Sequence, residues 1–402
     1  MSEKEKSPLV PRLRFPEFRE AAEWGSEKLE QLITTVSPPS KLQSSSYRTQ
    51  GKFPIIDQSQ ELICGWTDDE SAVIDESLPL IVFGDHTCAL KFVEKPFAQG
   101  ADGIKILKAK PSISAEYLFH SLSHRPLAME DYKRHYSILK ERAVVFPDIK
   151  SGEQHKIADC LSSLDELITA ETQKLDTLKT HKKGLMQQLF PREGETVPRL
   201  RFPEFRGAGG WEVKALDQLG ELVSGLTYSP DDVRDEGLLV LRSSNVQDGR
   251  IVLDDNVYVR SDIKGASPSL PNDILICVRN GSKSLIGKNA LIPEDMPPCT
   301  HGAFMTVFRS GAAKFIIQLF QTEAYERQVA ADLGATINSI NGNQLKKYKF
   351  RVPEAKEQQV IADCLSSFDD LITAQTQKID ALKTHKKGLM QQLFPTLDEV
   401  GA

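Results

Sequence analysis

The chain repeats itself, and the way it does so restricts its fold more than anything in its composition. VPRLRFPEFR runs from Val10 to Arg19 and returns unchanged from Val197 to Arg206, with Trp24 and Trp211 following at the same offset. A longer segment starts at Glu153 as EQHKIADCLSSLDELITAETQKLDTLKTHKKGLMQQLFP. It returns at Glu357 as EQQVIADCLSSFDDLITAQTQKIDALKTHKKGLMQQLFP, identical at 32 of 39 positions. Residues 33–150 and 220–353, between the repeats, share no evident motif, and the offset between copies grows from 187 to 204 across them. A duplication that only enlarged a pseudo-symmetric core would let every part diverge alike. Near-identical segments beside unrelated inserts point instead to one common partner for the repeats and separate targets for the inserts.

The long repeat has a heptad period. Ile157, Leu161, Leu164, Ile168, Leu175, Leu178, Leu185 and Leu189 alternate at spacings of three and four, with Glu171 and Lys182 in the two polar gaps. The second copy shows Ile361, Leu365, Phe368, Ile372, Ile379, Leu382, Leu389 and Leu393, with Gln375 and Lys386 in the equivalent gaps. This pattern predicts coiled-coil helices, each roughly 55–60 Å long, stopped by Pro191 and Pro395. Two such helices in one chain most simply pack on each other, and an antiparallel pair would put a compact domain at each end of a rod. Homodimerisation through the heptads is the plain alternative. The polar gaps suggest a register with Glu171 opposite Lys386 and Lys182 opposite Gln375.

Composition narrows the function. Across 402 residues, 50 Lys and Arg stand against 56 Asp and Glu, a net charge of −6. That excludes a chain that coats nucleic acid by bulk charge, while leaving room for a local basic patch. At 40% hydrophobic and 26% charged, the chain can build real cores. No run of 18 apolar residues suggests a membrane span, and the charged, proline-punctuated start does not read as a signal peptide. Cys64, Cys88, Cys160, Cys277, Cys299 and Cys364 form no C-x-x-C pair. They read as reduced thiols of a cytoplasmic protein, neither a disulfide frame nor a metal site.

Motifs for chemistry fail one by one. An adenine methyltransferase needs an N/D-P-P-aromatic loop for its flipped base, but the Pro-Pro pairs here lie in Ser37-Pro38-Pro39-Ser40 and Met296-Pro297-Pro298-Cys299. Between Gly281 and Gly287 there are five residues, and Asn289 follows Lys288, so a P-loop does not form. Asp85-His86-Thr87 lacks the further ligands that a metal or acid/base site needs. Pro353-Glu354-Ala355-Lys356 is only the tail of an acidic-x-Lys nuclease pattern, at a junction where a structural role fits better. No catalytic residue is assigned.

Around the repeats the segments take on a family likeness. PDIKSGEQ from Pro147 and PEAKEQ from Pro353 introduce the two long repeats. The second insert carries RSSNVQDGRI from Arg242, NDILICVRNGSKSLIGKNALI from Asn272 and GATINSINGNQLKKYKFRVP from Gly334. The first carries FPIIDQSQELICGW from Phe53 and LPLIVFGDHTCALKF from Leu78. In this order the chain resembles the specificity (S) subunits of type I restriction–modification enzymes, over nearly its whole length. The resemblance implies an α/β protein: two α/β target-recognition domains separated by two long antiparallel coiled-coil helices, with an internal pseudo-twofold duplication. The corresponding division is a repeat segment at 1–19, a first domain at 20–150, a helix at 151–191 and a linker repeat at 192–206. A second domain at 207–356, a second helix at 357–395 and a tail at 396–402 complete it. It implies that each domain reads half of a bipartite, asymmetric site on double-stranded DNA. The helices would dock two methyltransferase (M) subunits, which restriction/translocase (R) subunits can join. The chain itself would be non-catalytic and bind no cofactor, S-adenosylmethionine belonging to the methyltransferase.

Duplex recognition needs Lys and Arg for phosphates and Arg, Asn, Gln or Ser at base edges, so windows without acids are the first candidates. In the first domain Ser37–Ile56 holds Lys41, Tyr47, Arg48 and Lys52; Lys133, Arg134 and His135 form a second basic stretch. Asp85, His86 and Thr87 follow the apolar Leu80–Phe83 and suggest a reading loop. In the second domain Ile274–Pro293 holds Arg279, Asn280, Ser282, Lys283 and Lys288. Arg242 and Asn245 belong to the first family-like segment, and Thr336, Asn338 and Asn341 to a Gly/Asn-rich turn. Lys346, Lys347, Lys349 and Arg351 cluster near a helix junction and suit a methyltransferase contact equally well. The rival readings are solvated loops on a coiled-coil scaffold or adaptor without DNA specificity and, more weakly, an enzyme acting on DNA alone.

Overall fold

Helices of 37 and 39 residues, Glu153–Leu189 and Ala355–Leu393, form from the two heptad segments. The computed structural model describes residues 9–101, 103–129, 134–333 and 338–395. It divides into two compact units, Met1–Gln173 with Gln377–Ala402, and Lys174–Thr376, so each unit holds one insert and a part of both helices. Among the described residues no helix is long and apolar enough to cross a membrane.

In the first unit the apolar run Leu80–Gly84 is a central strand buried along its whole length. Burial on both faces explains why it reads as a continuous apolar run without alternation. Its side chains still alternate in destination. Ile81 and Phe83 join Tyr117 and Leu118 of the helix Ala115–His124 and Ile157 of the first long helix. Leu80 and Val82 join Ile56, Ile104 and Ile106 on the other face. The strands of this antiparallel sheet lie in the order Ile33–Val36, Ile104–Ala109, Leu80–Gly84, Leu90–Val93. Across the second core lies a smaller sheet: Phe53–Ile56 pairs with Gly65–Thr67 antiparallel and with Ala98–Gln99 parallel. A ribbon of Gly25–Lys28 and Ala143–Phe146 closes the domain where its chain enters and leaves.

The second unit repeats this topology with unrelated residues. Its sheet runs Glu221–Ser224, Met305–Arg309, Ile274–Cys277, Asn289–Leu291, again antiparallel throughout. Ile274 and Ile276 face Phe315 and Ile316 of the helix Ala313–Leu319, together with Ile361 of the second long helix. Leu275 and Cys277 face Leu239, Leu241 and Val307. In the smaller sheet Leu238–Leu241 pairs with Val257–Val259 antiparallel and Cys299–His301 parallel, and Glu212–Ala215 closes on Lys349–Val352. The inserts that share no motif thus share one α/β fold.

The two repeats meet at a buried clamp. In the first unit Arg14 Nε and Nη2 donate to Glu153 Oε1 and Oε2 at 2.8 and 2.7 Å, with side-chain exposures of 7% and 1%. Arg14 Nη1 also donates to Ala21 O at 2.8 Å, and Trp24 Nε1 to Glu153 Oε2 at 3.3 Å. In the second unit Arg201 Nε and Nη2 donate to Glu357 at the same 2.8 and 2.7 Å, and Nη1 to Ala208 O at 2.7 Å. Both glutamates sit in the first turn of a long helix, where the helix dipole favours an anion. The next residue fastens the preceding proline: Gln154 Nε2 donates to Pro147 O at 2.7 Å and Gln358 Nε2 to Pro353 O at 2.8 Å. The ten-residue repeat and the Pro…EQ introduction are therefore two halves of one device.

The helices run antiparallel within each unit. Ile157 and Leu161 from the start of one share a core with Met390 and Leu393 from the end of the other, and Leu189 shares one with Ile361 and Leu365. The register, however, corrects the one read from the polar gaps. Lys386 pairs with Asp165, six residues before Glu171, and Glu171 takes Lys378. Lys182 donates to Asp369 Oδ1 at 2.7 Å and to Gln321 Oε1 at 2.8 Å, in place of the Gln375 that the polar gaps suggest. The shift is about one heptad. Asp165 and Asp369 are equivalent positions flanking the apolar stripe, where charges select partner and register. A buried lysine gains more from a full carboxylate than from the amide of Gln375.

Each domain sets a polar side chain beside its rung. In the second unit Gln318 Nε2 donates to Asp369 Oδ2 at 2.8 Å. In the first, His120, 1% exposed, stands beside the rung without bonding to it, with Nε2 at 3.0 Å from Ser162 Oγ and Nδ1 at 4.0 Å from Asp165. Since Ser162 Oγ donates to Glu116, His120 Nε2 carries the proton and Nδ1 the lone pair. Burial, reinforced by the Lys386 cation and opposed by Asp165, pushes the His120 imidazole down to about 4.

Two outcomes follow for stability. Arg14→Ala leaves Glu153 buried without its partner and lowers the unfolding free energy by about 3–5 kcal/mol, read from denaturant curves; a loss under about 1 kcal/mol would show the clamp to be incidental. His120 binds its proton less readily folded than unfolded, so its contribution is complete above about pH 6.5 and is lost as pH falls toward 4, by about 3 kcal/mol in all. Melting temperatures of wild type and His120→Gln should therefore converge or cross on acidification, and parallel profiles would remove His120 from the account.

Candidate nucleic-acid interface

In the second unit three loops are tied together beyond the central strand Ile274–Cys277. Asn280 is the tie: its Nδ2 donates to Ser243 Oγ at 2.9 Å, its Oδ1 accepts from Ser282 N at 2.9 Å, and its backbone N reaches Asn338 O at 3.4 Å. Asn338 Nδ2 returns a bond to Gly281 O at 3.2 Å, and Ile340 N donates to Val278 O at 2.8 Å. Arg279, Asn280, Ser282 and Asn338, singled out separately in the sequence, are thus brought to one surface. Arg279 is exposed, with its guanidinium 5.7 Å above the centroid of Phe304 and no carboxylate partner among the described residues. Lys283 and Lys288 are exposed close by in sequence, and Ser282 Oγ lies 2.9 Å from Ser284 Oγ.

Other candidates in this unit hold the scaffold. Asn245 is fully buried, its Oδ1 accepting from Arg242 N at 2.9 Å and its Nδ2 donating to Val252 O at 2.9 Å. Arg242 Nη2 donates to Asp255 at 2.8 Å. Asn341 caps the short helix Gly342–Leu345 by accepting from Asn343 N at 2.9 Å. Thr336 lies outside the described residues, as does Lys133 in the first unit. Lys349 and Arg351 border a different feature, a groove of 1030 Å³ beside Lys179, Met186 and Phe190 of the first long helix and its end.

The first unit has a corresponding tie. Asp85, His86 and Thr87 form the turn after Leu80–Gly84. Thr87 Oγ1 donates to Gln58 O at 2.5 Å, Asp85 Oδ1 accepts from Tyr136 N at 2.8 Å, and Asp85 O accepts from His135 N at 2.9 Å. Asp85 is buried, His86 and Thr87 half-buried. Lys91 is buried beneath, its Nζ donating to Asp57 O at 2.7 Å, and burial lowers its pKa. Tyr47 fills space under the same loops: a Cβ on Gly65 would come within 2.7 Å of it, and its hydroxyl accepts from Ala101 N at 2.8 Å. Arg48 Nη1 pairs with Asp68 at 2.6 Å and Lys52 pairs with Glu70, so that window is free of acids in sequence but not in space. Lys41 and Arg134 are exposed. Among the described residues no group of three or more His, Cys, Asp or Glu could hold a metal ion.

A family model described as the type I restriction modification DNA specificity domain matches residues 208–384. The type I restriction enzyme MjaVIII specificity subunit of Methanocaldococcus jannaschii is 23% identical over 344 residues, 81% of this chain and 80% of that protein. The EcoR124I/EcoR124II specificity subunit of Escherichia coli is 23% identical over 368 residues, 86% and 87% of the two chains. The second half of the chain thus matches the model of that family, and the relatives that align over most of its length are type I restriction enzyme specificity subunits. A crystal structure of a type I S subunit from M. genitalium has the same fold, with a TM-score of 0.66 at 15% identity over 97% of this chain and all of that one.

The sequence missed Phe304, 55% exposed beneath Arg279, and Ser243, the anchor of Asn280. A phenylalanine directly before the apolar run Met305–Phe308 reads as core, and nothing local marks it as exposed. The tie itself is open to test. Asn280→Ala should speed amide exchange at Ser282 about ten-fold, the equivalent of one hydrogen bond, and unchanged exchange there would show that other contacts hold the loops.

Proposed function

We propose that this chain is the DNA-sequence-reading subunit of a type I restriction–modification complex, each unit's tied loops reading one half of a bipartite, asymmetric site on double-stranded DNA. The observation that carries it is a pair of unlike inserts with one topology, in a chain whose second half matches this family, each tying three polar loops beyond its central strand. A common frame with exchangeable loops is what two different readings by one architecture require. Arg279, Ser282 and Asn338 suit base edges, and exposed Lys41, Arg134 and Lys288 suit phosphates.

The near-identical helices serve two copies of one partner, the methyltransferase subunit. Leu167 and Leu371, equivalent positions 41% and 53% exposed, are an apolar surface offered twice. Restriction subunits join that complex. Methyl transfer and cleavage belong to these partners, S-adenosylmethionine to the methyltransferase, and the assembly works in the cytoplasm. A net charge of −6 suits a subunit whose partners supply much of the phosphate attraction.

The test is sequence-specific methylation by the chain mixed with its methyltransferase subunit. Replacing residues 20–150 with another such domain should change one half-site and leave the other. Methylation by this chain alone would reverse the division of labour, and partner binding without sequence preference would make it a scaffold.

A further inference from the structure

Phe304 is an apolar residue exposed among polar loops, yet its backbone is tightly held. Gly302 N donates to Leu241 O at 3.0 Å, Ala303 N to Leu226 O at 2.9 Å and Met305 N to Gly302 O at 2.8 Å. Gly225 approaches Gly302 O so closely that a side chain there would collide with it. Phe304 O accepts from both Val278 N and Arg279 N, at 3.0 and 3.1 Å. The main-chain segments that carry the ring and the arginine standing on it are therefore fixed to each other.

The charge environment of Arg279 differs from that of the ion-paired arginines. Arg48, Arg242, Arg260 and Arg309 each pair with an aspartate. Arg279 has the Phe304 ring instead. An aromatic plate occupies one face of a guanidinium and leaves its in-plane N–H donors open. It also restricts the side chain before any ligand arrives, which removes part of the ordering cost of binding.

We propose that Phe304 is a positioning residue that holds the Arg279 guanidinium for bidentate donation to O6 and N7 of a guanine, in the major groove of the half-site read by the second domain. This rests on the DNA-reading function given above. Guanine is the base whose major-groove edge offers two acceptors to such a fork. The competing use of an exposed phenylalanine is as a wedge between base steps, in which the ring itself meets DNA.

The experiment selects a randomised duplex library with the complex of this chain and its methyltransferase subunits, then sequences the bound pool. The wild-type complex should yield a two-part motif. Phe304→Ala and Arg279→Ala should both lose the preference at one and the same G·C pair, by roughly ten- to a hundred-fold, with the other half unchanged. Arg279→Lys should keep binding but lose that preference, and Phe304→Tyr should restore it. Melting of the Phe304→Ala chain should match wild type. A motif unaffected by Phe304→Ala, a uniform loss over all sequences, or kinked wild-type DNA straightened by Phe304→Ala would overturn the positioning role. Loss at an A·T pair would overturn the guanine assignment. Absence of any two-part motif with wild type would instead remove the DNA-reading function, and this proposal with it.

Discussion

The architecture depends on a carboxylate buried at the start of each long helix. Glu153 and Glu357 are almost wholly shielded from water, and each is neutralised by an arginine from the short repeat. An unpaired buried charge is costly, so the helix, the domain strand before it and the short repeat are obliged to assemble together. The arginine's remaining donors hold main-chain carbonyls near Ala21 in one unit and Ala208 in the other. This explains why VPRLRFPEFR survives unchanged beside inserts that have diverged completely.

Those inserts show which features of a sequence carry a fold. Two stretches without a common motif arrive at one strand order because each supplies a short apolar run buried on both faces, a helix against one face and a small sheet against the other. The requirement is for apolar character at alternating destinations, which many sequences meet. Loops beyond the strand carry no such requirement, so Asp85-His86-Thr87 and Arg279-Asn280-Gly281 can differ in every residue and still tie three segments together.

The duplication and the long helices were legible because each leaves a repeated or periodic trace. The register was not. Its determinants, Asp165 and Asp369, flank the stripe and look like ordinary surface acids until the partner helix is in place. Basic residues were overcounted for a related reason. Arg48 and Lys52 have no acid near them in sequence, but the neighbouring hairpin brings Asp68 and Glu70 across. Asn245 looked like a reading residue and is buried bracing a turn, since an asparagine's sequence context does not say which way its amide faces.

The Asp–Lys rungs have a consequence for inheritance. Asp165 meets Lys386 and Asp369 meets Lys182, so each copy of the repeat supplies the acid in one rung and the base in the other. The segment is complementary to itself when reversed, the protein counterpart of a palindrome. Copying one repeat over the other in the gene leaves both rungs intact, whereas a charge altered in one copy alone breaks a rung. Recombination between the two copies therefore preserves fit while the intervening inserts remain free to change.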